Sequence, residues 1–257
     1  MKPVISFLFT LISFSSFACE CISHPFMVQY HQSDFIATAK ILKVSGDELA
    51  SEYRHVDIEI IELFKGEITS SIKEVNVNRN NCGIFTPENT TWLIFASKDS
   101  DGVLQIDACS GAQEIKEILY DDKYPNYKKN VEANLSRTLE ILSYLKKENL
   151  SSTNEYHLTP NITSSCFSYL KGFECTRQTF SVFELTVQKD LSISNIKAVK
   201  EFDNIELSSK LFTCIKQNTI INTSKVKQIP TTTKVLIICF FYPAEGEYKS
   251  FISFLNL

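Results

Sequence analysis

Phe35-Ile36-Ala37-Thr38-Ala39-Lys40-Ile41-Leu42-Lys43-Val44 is the stretch on which the fold turns. Half of it is β-branched or aromatic, it carries neither Gly nor Pro, and it stops at the turn cluster Ser45-Gly46-Asp47. It therefore reads as a strand. Val56-Asp57-Ile58-Glu59-Ile60-Ile61-Glu62-Leu63-Phe64 alternates at first and ends at Lys65-Gly66. Ile72–Asn78 alternates, and Thr91–Ala96 and Val103–Ile106 flank a turn containing Asp101-Gly102. Short strands spaced in this way predict a small barrel or sandwich.

Beyond these strands the period changes. Tyr127–Leu145 places Val131, Leu135, Leu139, Leu142 and Leu145 on one helical face, with Lys and Glu opposite. This predicts an amphipathic helix packed on the barrel. Residues 148–165 are rich in Ser, Thr and Asn and read as a linker. Residues 166–257 form a second unit. Phe180–Gln188 and Ile193–Val199 suggest a hairpin, Leu207–Lys216 has helical spacing, Val235–Tyr242 reads as a buried strand, and Phe251–Leu255 as a further one. The expected order is β-β-α-β, a small α+β layer.

The chain has 257 residues and a formal charge of −4, which argues against a partner bound through phosphates. Met1–Ala18 has an early Lys2, an apolar run Val4–Ile12 and the small-x-small close Ser16-Phe17-Ala18. It reads as a signal peptide, with residues 19–257 exported to the outside or the periplasmic envelope. No later apolar run is long enough to span a bilayer. Eight cysteines follow the signal: Cys19, Cys21, Cys82, Cys109, Cys166, Cys175, Cys214 and Cys239. An even count in an exported chain favours disulfides. The nine-residue spacing of Cys166 and Cys175 predicts a local bridge, and Cys214 on the helix would then meet Cys239 on its strand.

No catalytic constellation is present: there is no His-Glu-x-x-His helix, no Gly-x-Ser-x-Gly elbow and no phosphate-binding loop. A non-enzymatic protein without a cofactor is expected. Cys21, His24 and His31 carry metal-ligand atoms, but the disulfide reading takes precedence. The informative segment is Cys19-Glu20-Cys21. Cleavage after Ala18 would leave Cys19 with a free α-amine next to its own carbonyl, and these two atoms can chelate a metal in a five-membered ring. The amine pKa of about 7.7–8 leaves a neutral fraction near pH 7, which a metal enlarges by displacing the proton. The plainer reading is that both cysteines staple the N-terminus to the body.

Cys19-Glu20-Cys21 with His24-Pro25, Ser33-Asp34 entering the first strand, Phe64-Lys65-Gly66, Cys82-Gly83, Trp92-Leu93-Ile94-Phe95-Ala96 and the Asp101-Gly102 hairpin closing at Cys109 occur in one order. Over residues 19–113 the arrangement resembles the tissue inhibitors of metalloproteinases, in the wider netrin-like family. The resemblance implies a five-stranded OB-type barrel with packed helices and the bridges Cys19–Cys82 and Cys21–Cys109. It also implies that the Cys19 amine and carbonyl bind the zinc of a partner metalloprotease, while Glu20 enters the primed-side pocket beside it. Two positions depart from the pattern. His31 stands where the family has a third cysteine, and Glu20 stands where inhibitors carry a small or β-branched residue. A carboxylate in an apolar pocket costs several kcal/mol unless paired. Phe183–Asp190 and Ile196–Val199 resemble the TonB C-terminal domain, a β-β-α-β unit of bacterial envelopes. The expectation is thus an exported metalloprotease inhibitor with an OB-type domain over residues 19–147. The alternatives are a binding module without chelation, or a surface protein lipidated at Cys19.

Overall fold

The strand β1, Phe35–Ser45, is hydrogen-bonded along both edges, antiparallel to β2, Tyr53–Lys65, and to β4, Thr91–Lys98. This double pairing closes a barrel. The computed structural model describes residues 19–21, 25–47, 49–116, 123, 126–150, 154–163, 165–177, 179–222 and 226–255; the expected signal segment 1–18 and His24 lie outside them. β3, Ser71–Val75, pairs antiparallel with β2 and parallel with β5, Leu104–Ile106, and β5 returns antiparallel to β4. The result is a closed five-stranded mixed barrel of OB type, in the order β1-β2-β3-β5-β4. A short β6, Gln113–Glu114, adds to the edge of β4.

The near-continuous apolar run of β1 follows from having two buried faces. Phe35, Ala37, Ala39 and Ile41 fill the barrel interior together with Trp92, Ile94 and Ala96 of β4. The register sets Ala37 opposite Ile94 and Ala39 opposite Trp92, so small residues face large ones. Ile36, Leu93 and Phe95 point to the other side, into a second apolar cluster.

That second cluster joins the two halves of the chain. It contains Phe26, Met27 and Tyr30 of α1, Phe26–Gln32, which precedes β1, and Ile141, Leu142 and Leu145 of α2, Tyr127–Lys147. The rest comes from the C-terminal sheet, whose strands are β8, Phe180–Val187, β9, Ile193–Lys200, β11, Thr233–Tyr242, and β12, Phe251–Ser253, in the order β12-β11-β8-β9. Phe180, Val182, Leu236, Ile238 and Phe240 contribute from this sheet. The apolar stripe of α2 therefore packs on the sheet as well as on the barrel. Its polar residues follow: Glu140 accepts from Thr179 Oγ1 at 2.7 Å, while Lys146 reaches Glu62 on β2 at 3.2 Å.

The opposite face of the sheet carries Phe183, Leu185, Val187, Val235, Ile237, Cys239 and Phe241. It is covered by Leu207, Leu211 and Ile215 of α4, Ile205–Asn218. The side chain of Asn204 caps this helix, accepting from Leu207 N at 2.9 Å. Both faces of β11 are thus buried, which explains why its sequence is apolar without alternation.

Three expectations are corrected. The linker over 148–165 is partly structured: β7, Pro160–Ile162, pairs with β10, Thr219–Ile221, and Leu158 and Ile162 enter the C-terminal core. Cys166 does not pair with Cys175. It lies on α3, Ser165–Ser168, and bridges Cys214 on α4, with Cα atoms 5.5 Å apart. Cys175 and Cys239 remain thiols. Cys166, on α3, faces α4, while Cys175 sits against Asp203, and burial with that carboxylate pushes its thiol up to about 11. Cys239 is fully buried in the sheet face, and burial raises its thiol further.

Candidate functional site

Cys19, Glu20 and Cys21 lie on the barrel surface, held from two loops. Cys19 bridges Cys82 and Cys21 bridges Cys109, with Cα separations of 5.0 and 5.1 Å. These are the pairs implied by the resemblance. Cys82 belongs to the loop after β3. There Asn80 Oδ1 accepts from Cys82 N at 2.9 Å and Asn80 O accepts from Gly83 N at 2.8 Å. A Cβ on Gly83 would stand 2.3 Å from the Val77 Cα, so the Cys-Gly dipeptide is a requirement of close backbone approach.

Cys109 belongs to the turn after β5. Asp107 Oδ1 accepts from its backbone N–H at 2.8 Å, and Asp107 O accepts from Ser110 Oγ at 2.7 Å. The two loops are joined to each other, since Ala108 N donates to Cys82 O at 2.9 Å. Gln29 of α1 donates from Nε2 to Ser110 O at 3.0 Å and ties the turn to the helix. Lys65 completes the support. Its ammonium donates to Tyr30 O at 2.7 Å and to Ser33 O at 2.6 Å, at the C-terminal end of α1. Gly66 follows at φ +90°, where a Cβ would lie 2.4 Å from Asp34 O. The Lys-Gly pair at the end of β2 thus has a local reason: Lys65 caps the helix and Gly66 lets the backbone pass.

The sulfurs of Cys19 and Cys109 are 3.4 Å apart, so the two bridges stack. The Cys19, Cys82 and Cys109 sulfurs all lie within 4.8 Å of one another. They are not a metal centre: each is committed to a bridge and has no thiolate to offer. The same holds for Cys21, which removes it from any site with His31. His31 sits in the last turn of α1, and its imidazole is lowered to about 4 by burial, then by Lys65 and His157.

Glu20 is exposed and lines an open groove of about 660 Å³, together with Cys21, Gln29, Ser97, Gln105 and Asp107. This groove has no basic lining residue, and Glu20 has no ion pair among the described residues. Its carboxylate is therefore in water in the free protein.

One supporting group is absent from the sequence reading. Glu74 on β3 is fully buried and paired with Arg54 of β2, itself 3% exposed. Glu74 also accepts from Thr86 N at 3.2 Å and from Thr86 Oγ1. Thr86 lies in the loop that carries Cys82, so this ion pair anchors the base of that loop. Burial pushes the Glu74 carboxyl up, opposed by Thr86 and Arg54. The signal for it was a charged residue in each of two adjacent strands.

No protein-family model matches the chain, and a search of curated proteins returns no match. Among the described residues no helix is long and apolar enough to cross a membrane.

Proposed function

We propose that the protein is exported by removal of residues 1–18 and acts, without catalysis of its own, as an inhibitor of a zinc metalloprotease. The observation that carries this reading is the doubly bridged segment 19–21. Its first residue would present an α-amine and a carbonyl from a rigid surface rather than from a mobile end. Pinning both sides of Glu20 lowers the ordering cost of inserting this segment into a protease cleft. In the protease the amine and carbonyl would take the position of the zinc-bound water. Glu20 would enter the adjacent pocket, which selects proteases that offer a cation or water there.

Adding one alanine before Cys19 tests the chelation. The extension moves the amine out of the chelate ring and breaks no bridge, so protease binding should disappear while folding is unchanged. Equal binding by the extended and native termini overturns chelation and leaves a binding module. Intact mass of the secreted chain decides between a free amine and a lipidated Cys19. Glu20→Thr should strengthen inhibition of a protease with an apolar pocket, up to several kcal/mol if the carboxylate is fully desolvated.

A further inference from the structure

A cavity of about 330 Å³ opens beside the contact of α1 with β11 and reaches the segment 154–160. Its walls are mainly apolar, with Met27 and Val28 on one side and Leu158, Val235 and Leu236 on the other. It continues into a narrower crevice that shares Met27, Val28 and Leu236 and reaches Ile238 and Phe254. Among the described residues no carboxylate lines either space. The polar part of the wall includes two imidazoles, His31 and His157. His31 Nε2 is buried without a hydrogen-bond partner among the described residues, an arrangement that native interiors seldom leave standing. His157 adopts φ 49°, in the left-handed region that non-glycine residues avoid. Lys65 lies close enough to act on His31 electrostatically, though its ammonium is committed to backbone carbonyls.

The chemistry of the two ends differs. One end offers imidazoles under a positive field and a nitrogen in need of a partner. The other offers the apolar walls of the cavity itself, Val28 on the helix and Leu158, Val235 and Leu236 opposite. A pocket of this size and lining suits a small organic ligand with one polar group. We propose that this cavity is a binding site for an amphipathic carboxylate, an anionic headgroup at His31 and His157 with a single hydrocarbon tail laid between Met27 and Leu236. The headgroup would accept from the imidazoles and gain from the field of Lys65. The tail would cover the half-buried lining residues Val28, Tyr156 and Val226. This site is separate from the bridged terminus, and its existence does not depend on protease inhibition.

Titration calorimetry with decanoate at neutral pH tests it, using the full mature chain. One decanoate per chain is expected, saturating below millimolar concentration, with decanol at least tenfold weaker. Val28→Trp and Val226→Trp, at two half-buried positions that both line the cavity, should each weaken decanoate at least tenfold while the circular dichroism spectrum is retained. His31→Leu should lower the preference for decanoate over decanol. Equal affinity for decanol and decanoate overturns the anionic headgroup. Undiminished binding to both tryptophan variants overturns the site, as does non-saturating uptake of many decanoates per chain.

Discussion

The barrel and the C-terminal unit use cysteine in opposite ways. In the barrel, Cys21 and Cys109 are exposed, and the two bridges fasten the segment 19–21 to loops outside the core. In the C-terminal unit, Cys166 and Cys239 are 5% and 0% exposed and belong to the apolar cluster under α4. There, one bridge joins two helices, and two further cysteines serve as small hydrophobic residues. The difference follows from what each region has to bury. The barrel has a complete interior of its own, so its bridges are free to position a surface segment. The C-terminal sheet is packed on both faces, and its cysteines fill that packing.

The sharpest test removes the bridges in turn. Cys19→Ala with Cys82→Ala opens a sequence separation of 63 residues, and Cys166→Ala with Cys214→Ala one of 48. Chain entropy alone predicts about 4 kcal/mol for each, with a difference below about 0.5 kcal/mol. Urea denaturation should find the C-terminal pair costlier by a further ~1 kcal/mol, because buried sulfur is lost with it. A larger cost for the barrel pair would break the comparison. The two variants should also divide by function, with protease binding lost only in the first.

Next in size is the buried pair at the base of the Cys82 loop. Arg54→Met leaves the Glu74 carboxylate without its cation, in a site closed to water, and should cost about 3–5 kcal/mol. Adding Glu74→Leu should return part of that loss. Recovery is incomplete because Thr86 N–H then lacks its acceptor. Additive costs in the double variant would mean that the two charges do not stabilise one another.

Leu236→Ala asks whether the two regions are separate at all. Leu236 is 4% exposed and projects from β11 into the cluster shared with α1 and α2. Truncation should cost about 2–5 kcal/mol. Because the shared cluster links both regions, calorimetry of the native chain should give one transition, and of the variant either one transition at lower temperature or two. Two transitions in the native chain would show that the barrel and the sheet melt independently.

The longer strands of both units were legible because each carries its own burial pattern, whereas β6, β7 and β10, two or three residues each, are too short to show one. β1 is apolar on both faces, β2 alternates, and β11 is an unbroken apolar run. The two amphipathic helices were legible for the same reason. What covers a stripe was not. The stripe of α2 reads the same whether it meets a barrel, a sheet or both, since periodicity reports a buried face and not its partner. Cysteine pairing failed in the C-terminal unit for a related reason. Short spacing between Cys166 and Cys175 suggested a bridge, but Cys166 lies on α3, packed against α4, and pairs with Cys214 there. At residues 19–21 the pairing was legible only through the family resemblance carried by Cys-x-Cys, Cys82-Gly83 and the hairpin closing at Cys109, since spacing alone assigns no bridge among eight cysteines. The Arg54–Glu74 pair stayed hidden, since charged residues on strands ordinarily face solvent.

The smallest expected effect lies at the joint between the two regions, at His31. Its pKa falls from the ordinary 6.5 to about 4 in the folded chain, through burial first and then the charges of Lys65 and His157. The unfolded chain therefore takes up a proton at His31 before the folded chain does. Stability from this residue is full above about pH 6.5 and is lost as the pH falls toward 4; below that, both states are protonated and the effect is constant. His31 is only partly enclosed, so the loss should be about 1–2 kcal/mol rather than the full linkage value. Urea midpoints at pH 7 and pH 4.5, without added fatty acid, measure it against His31→Leu, in which the carboxylates titrate but this imidazole does not. The native chain should lose more stability over that interval than the variant. An equal loss in both would place His31 in water, and the barrel and sheet would then meet more loosely than the shared cluster requires.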